Sequence, residues 1–279
     1  MAHAEVVSAD AVLLQMAPED DAAMGFDVRD RVRSGALAAS CAGFVVIPSL
    51  GPLLGKGEQT RRYDTVITPP DYAFAVWAPI FAGCVASTVA QCLPGARDEA
   101  VSRRTGWPLA GAYAVNAGWS LAAQSGRFGW TPALLPAATA CAAVGYARLQ
   151  HIPVRSRTVD LTSISTGLLL GWTVLASAVN VAAGALVAGA DKTSPRTVAS
   201  SAAGLLAVSG AVAAAAAGGD RGWLPLAAAS GWGLATTAVT TGRPKGVRAA
   251  AALGAAGVAA IALRKSLSRR TPGPARKRV

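Results

Sequence analysis

Between Asp160 and Asp191 the chain runs thirty residues without a charged side chain. A helix rises 1.5 Å per residue, so ~20 apolar residues cross the ~30 Å hydrocarbon core of a bilayer. A run this long and this apolar reads as a membrane-spanning helix. Inside it, Trp172, Ala176 and Asn180 recur at intervals of four, which places them on one side of the helix within ~80° of arc. An amide at membrane depth needs a partner in a neighbouring helix or a ligand, because lipid offers none. That face points inward.

The rest of the chain repeats the pattern. Its 279 residues are 52% hydrophobic and only 15% charged, with mean hydropathy +0.39, which is the composition of a polytopic membrane protein. Charge-free stretches predict spans near 34–55, 73–95, 107–124, 128–148, 162–189, 198–218, 222–241 and 248–263. The fold class expected is all-α. The first 33 residues are polar and acidic and have no signal-peptide pattern, so the first span itself would direct insertion. Cys41, Cys84, Cys92 and Cys141 fall inside predicted spans as small apolar fillers, in no disulfide or zinc spacing.

The net charge of +11 raises nucleic acid as a partner, but its distribution argues against it. Eight spans put both termini on one side, and 17 of the 26 Lys and Arg residues lie on that side, including the tail from Arg264 to Arg278. The positive-inside rule then places both termini in the cytoplasm of a cell (inner) membrane, with the tail a topology anchor on anionic headgroups.

Three spans carry a polar stripe at helical spacing. They are Trp77, Phe81, Cys84, Thr88 and Gln91 in the second, Tyr113, Asn116, Ser120 and Gln124 in the third, and Thr166, Thr173, Ser177 and Asn180 in the fifth. Interhelical hydrogen bonding accounts for the Ser and Thr groups. Asn116, Asn180 and the indoles suit either packing or the lining of a cavity. Trp107, Trp130 and Trp223 stand at span ends, as an aromatic belt requires, whereas Trp77, Trp119, Trp172 and Trp232 lie deeper. A flat indole with one N–H donor suits a large planar ligand. No Asp, Glu, Lys, Arg or His lies inside a span away from its ends, and no familiar catalytic or nucleotide-binding motif occurs. The chain reads as no enzyme, with no metal site.

The stretch from Pro69 through Asp71 and Phe74 to Trp77, followed by Phe81, begins a recognisable order of motifs. Asn116-x-x-Trp119-Ser120 and Trp172-x-x-x-Ala176-x-x-x-Asn180 follow. In this order they resemble the TspO/MBR family of translocator and tryptophan-rich sensory proteins, over roughly 34–188. The resemblance implies a five-helix bundle with a pocket opening toward the loop between the first two spans. It also implies a tetrapyrrole ligand such as porphyrin or haem, and the pocket residues Trp77, Phe81, Asn116, Trp119, Trp172, Ala176 and Asn180. The chain departs from the family pattern at Ala75, where Pro is usual, and at Phe81, where Tyr is usual. Its extra apolar region marks a longer, divergent member.

The expected organisation is therefore a polar acidic tail at 1–33, a five-helix core at 34–188, additional transmembrane helices at 189–263 and a basic tail at 264–279. The leading functional expectation is a receptor or carrier for a planar hydrophobic small molecule. It requires no cofactor, takes porphyrin or haem as ligand, and has membrane lipid and a second copy in a homodimer as further partners. Basic residues of the loop 56–72 (Lys56, Arg61 and Arg62) would meet the ligand's carboxylates. The alternative is a small-molecule permease, in which contacts such as Gly51-x-x-x-Gly55 let helices move closely.

Overall fold

The computed structural model describes residues 9–53 and 63–270, with side chains at 27–51 and 63–269. Lys56, Arg61, Arg62, Gly55 and the last residues of the basic tail lie outside the described residues. Among those described there are eight α-helices and no strand. They are α1 (Ala9–Leu53), α2 (Trp77–Cys92), α3 (Ala100–Gln124), α4 (Thr131–Leu149), α5 (Arg157–Val187), α6 (Pro195–Gly218), α7 (Trp223–Val239) and α8 (Lys245–Arg270). Short 3-10 turns at Asp71–Val76 and Phe128–Trp130 lead into α2 and α4. Each predicted span meets one helix. α1 starts well before its predicted span, so part of the expected N-terminal tail is helical.

Six of the eight helices are long and apolar enough to cross a membrane. α3 carries Arg103 and Arg104 in its first turns, and α7 has only 17 residues, or ~26 Å of rise. Helix ends follow from local chemistry. Ser156 and Ser194 accept hydrogen bonds from the backbone N–H of Val159 and Thr197 and so cap α5 and α6, and Pro195 stands in the first turn of α6, where its missing N–H costs nothing.

Helices α1, α2, α5, α4 and α3 touch in that order and close a ring, because α3 also packs on α1. α7 lies against α5 from outside the ring, and α6 and α8 pack on each other and on α7. The outward faces are apolar, with Val46, Val85, Val89, Leu121, Val144, Val181, Leu206 and Leu253 exposed, as a lipid environment requires. Since lipid is as apolar as leucine, the helices need close packing and hydrogen bonds to associate.

The α5–α7 contact shows how. Gly167 and Gly171 lie one turn apart on α5, and a Cβ on either would overlap backbone atoms of the α7 segment, at the Gly222 and Leu226 carbonyls. Ser230 Oγ donates across this contact to the Gly171 carbonyl at 2.7 Å. Gly222 itself has φ of 65°, a conformation that side chains rarely take, and its backbone also sits against the Ser163 carbonyl. Elsewhere buried polar groups pair between helices. Gln91 on α2 donates to Thr162 on α5 at 3.1 Å and accepts from Thr105 on α3 at 3.4 Å. At the end of the molecule that holds the basic loops, buried Asp30 is held by Arg33 and by Arg103, the latter at 2.7 Å.

Gly171→Val should force α5 and α7 apart. Overpacking of this kind costs ~1–3 kcal/mol, and thermal unfolding in detergent should register it as a fall of several degrees. Gly210→Ala, at an open position on α6, should leave the midpoint unchanged; equal effects of the two substitutions would contradict the close contact.

Candidate functional site

A cavity opens at the end of the ring where α2 begins and α3 ends. The inner stripe of α5 forms one wall, with Trp172, Leu175, Ala176, Val179, Asn180 and Ala183 recurring at helical spacing. Trp77 on α2, Trp119 and Ala123 on α3 and Leu135 on α4 complete the sides. Tyr63, Thr68 and Pro69 from the segment before α2, with Phe74 and Phe128, form the mouth. The enclosed volume is about 80 Å³, within a concavity of about 770 Å³ that includes its opening.

Five of the seven residues expected from sequence (Trp77, Trp119, Trp172, Ala176 and Asn180) share this cavity. Phe81 and Asn116 are not on its wall. Phe81 stands one turn beyond Trp77 and stacks on that indole at 5.4 Å, with Phe44 of α1 edge-on at 5.0 Å. Asn116 is fully buried one turn before Trp119, where its Nδ2 donates to the Ala112 carbonyl at 2.8 Å. Both back the wall and do not form it, because steps of three residues from Trp119 and four from Trp77 move them ~4.5–6 Å along the helix axis.

The aromatic groups brace one another. Trp172 meets Trp77 edge-on at 6.2 Å and Phe74 edge-on at 5.6 Å. Trp119 Nε1 donates to Asn180 Oδ1 at 2.9 Å, tying α3 to α5, and Asn180 Nδ2 donates to the Ala176 carbonyl at 3.0 Å. The two most polar residues of the wall therefore hold each other. Trp172 differs: its Nε1 is buried and has no hydrogen-bond partner among the described residues. Of the other deep indoles, Trp232 lies off the cavity and donates from Nε1 to the Ala73 carbonyl at 2.8 Å.

Of the remaining lining residues, Pro69 and Phe74 belong to the motif that enters α2 but were not expected in the pocket, and the others were not singled out from sequence. Val179 and Ala183 could have been, since they continue the stripe of Ala176 and Asn180. Tyr63 and Phe128 could not: they stack at 3.6 Å from segments of no regular pattern.

The mouth segment is anchored by charge. Asp64 binds Arg243 through both carboxylate oxygens, at 2.6 and 2.9 Å, and Lys192 at 2.6 Å. Partial burial raises the Asp64 carboxyl, but the hydrogen bonds from Arg243 and then Lys192 outweigh it and hold the group below its usual range. Asp71 shares the outer side of this segment with Asp64 and Arg243. A carboxylate whose folded value is depressed contributes stability that is whole above its unfolded value, ~3.9, and is lost as pH falls through the lower folded value. The unfolding midpoint should therefore drop more steeply below about pH 4 in the native protein than in Asp64→Asn, as read by fluorescence melts. Parallel curves would show that the pair contributes nothing.

A family model described as TSPO-like protein matches residues 45–264, from the second half of α1 to the last turns of α8. No curated protein and no solved structure matches the chain. The family match runs through the five-helix ring and through α6, α7 and most of α8 alike. With six helices apolar and long enough to span a bilayer, this is an integral membrane protein, and the chain belongs to the TSPO-like protein family.

Proposed function

We propose that the protein binds a planar hydrophobic ligand, a tetrapyrrole of the porphyrin type, in the aromatic cavity of the ring, in a regulatory or carrier role and not as an enzyme. The observation that carries this reading is Trp172: a wall indole whose N–H is buried without a partner. A buried unpaired donor costs ~1–3 kcal/mol, and a ligand acceptor set against it would recover that cost. Trp77, Trp119 and Phe74 add flat apolar surface for stacking. Among the described residues, the lining side chains include no carboxylate, amine, imidazole or thiol. That set suits binding better than proton transfer, and suits a metal-free porphyrin better than a haem needing a nitrogen or sulfur ligand.

Volume constrains how binding occurs. The enclosed 80 Å³ is less than the ~150 Å³ that admits a benzene ring. The wider concavity of about 770 Å³ includes open solvent at its mouth, so the enclosed space falls short of the ~300–1,000 Å³ of ordinary ligand sites. A tetrapyrrole therefore enters only if the Tyr63–Phe128 side of the mouth gives way. The cleft at the opposite end of the molecule, lined by Arg155, Asp220 and Arg269, shares no residue with the cavity. That separation favours a receptor or one-ended carrier over a permease. The basic loops lie at that opposite end, so the positive-inside rule turns the cavity mouth away from the cytoplasm.

Titration of the purified protein with protoporphyrin should quench tryptophan emission saturably. Trp172→Phe removes the unpaired donor and Ala176→Leu fills the wall; each should weaken binding about tenfold, the equivalent of ~1.4 kcal/mol, with helicity retained. A parent protein that shows no saturable quenching, or two variants that bind like the parent, would overturn the reading.

A further inference from the structure

The segment that closes the cavity mouth, residues 63–70, contains turns but no helix or strand. Its internal ties are local: the Thr68 N–H donates to the Thr65 carbonyl at 3.4 Å, the Thr65 N–H to the Thr68 hydroxyl at 2.9 Å and the Ile67 N–H to the Thr65 hydroxyl at 3.2 Å, and the two hydroxyl groups meet at 2.9 Å. Val66 and Ile67 bury it in the core, and charged groups of the later loops hold it from outside as well. Arg243, in the turn between α7 and α8, donates to Asp64 through both terminal nitrogens, to the Thr65 carbonyl at 2.5 Å and to the Thr68 carbonyl at 2.9 Å. Lys192, in the turn between α5 and α6, holds the same carboxylate. The side chain of Arg243 is only 13% exposed, so this is no loosely solvated surface pair. One turn further along, Trp232 of α7 holds the Ala73 carbonyl and meets Tyr72 edge-on.

The same segment also has a hollow on its outer side, of about 310 Å³, lined by Asp64, Asp71 and Arg243. Thr68, Pro69 and Phe74 line both this hollow and the inner cavity. The two spaces are separated by a single layer of chain, and Arg243 grips that layer at three residues.

We propose that α6–α8 act as a latch on the cavity of the five-helix ring, with Arg243 as the positioning residue that keeps the mouth shut and sets the rate of access. The ligand side of this role rests on the reading above that the cavity is a binding site; the latch itself does not. A guanidinium is needed because its planar fork spans two carboxylate oxygens and two carbonyls at once, whereas an ammonium offers a single point of charge. When the fork lets go, the partition of Thr68 and Pro69 is free to swing, and the outer hollow joins the inner cavity into one space.

The test uses the full chain with a cysteine introduced on the cavity wall, Ala183→Cys, and a second in the packed far end of α6, Ala216→Cys. Modification by a membrane-impermeant maleimide is timed, and the labelling of the parent's own cysteines is subtracted. Arg243→Gln and Asp64→Asn should each speed labelling at position 183 at least fivefold. Arg243→Lys should also speed it, and the Arg243→Gln, Asp64→Asn double variant should go no faster than the quicker single one. Labelling at position 216 should stay as in the parent, and the unfolding midpoint should fall by no more than the loss of the Asp64 pair itself brings. An unchanged rate at 183, or an equal rise at 183 and 216, would overturn the latch, the second because it signals general loosening. Stopped-flow quenching by protoporphyrin separates the two claims. Faster association in Arg243→Gln extends the latch to the ligand. Faster labelling with no porphyrin quenching in any form keeps the latch and refutes the ligand.

Discussion

At Gly167 and Gly171, helix α5 meets the α7 segment backbone to backbone, with no side chain between them. A membrane supplies no hydrophobic drive for such a contact, so its stability comes from dispersion at close range and from the Ser230 hydroxyl that bridges to the Gly171 carbonyl. The adjoining faces of α5 carry Trp172, Ala176 and Asn180 to the cavity, and the Trp172 ring also reaches Gly233 of α7. One helix thus fixes both the cavity wall and the docking of the additional helices. Any shift of α7 along α5 would carry Trp232 and the turn holding Arg243 with it, and both of these touch the segment around the mouth.

Polar groups follow the same economy. Gln91, Ser87, Thr162 and Thr105 satisfy one another where α2, α3 and α5 converge. Trp119 and Asn180 do the same at the cavity. Trp172 Nε1 is one of eight buried side-chain atoms without a partner among the described residues, and the only one of them that belongs to a residue lining the cavity. A few buried groups elsewhere are also unpaired, among them Asn116 Oδ1, but Asn116 does not border the cavity.

Much of the architecture was legible because a bilayer writes it in a coarse code. A charge-free stretch such as 161–190 can only be a span, and all eight stretches became helices. The inner face of α5 was legible for a second reason: Trp172, Ala176 and Asn180 declare their side by spacing alone. Spacing does not say how deep a neighbouring helix stands, and so Phe81 and Asn116, on the right stripes, came to rest one turn away from the wall. The sequence also holds Gly167-x-x-x-Gly171, a more telling pattern of close approach than Gly51-x-x-x-Gly55; Gly51 meets the side chain of Gln124, not another backbone. Least legible was the pairing of Asp64 with Arg243. Two charges 179 positions apart in loops carry no periodicity, and only the three-dimensional path of the chain brings them together.

That separation has a consequence in time. The ring is complete in the chain at Val187, but the arginine that ties its mouth segment comes 56 residues later. At synthesis rates of ~5–20 residues per second, the stretch between them takes on the order of 3–10 s to make. During that interval the nascent chain holds the residues of its cavity without the arginine that ties Asp64, Thr65 and Thr68.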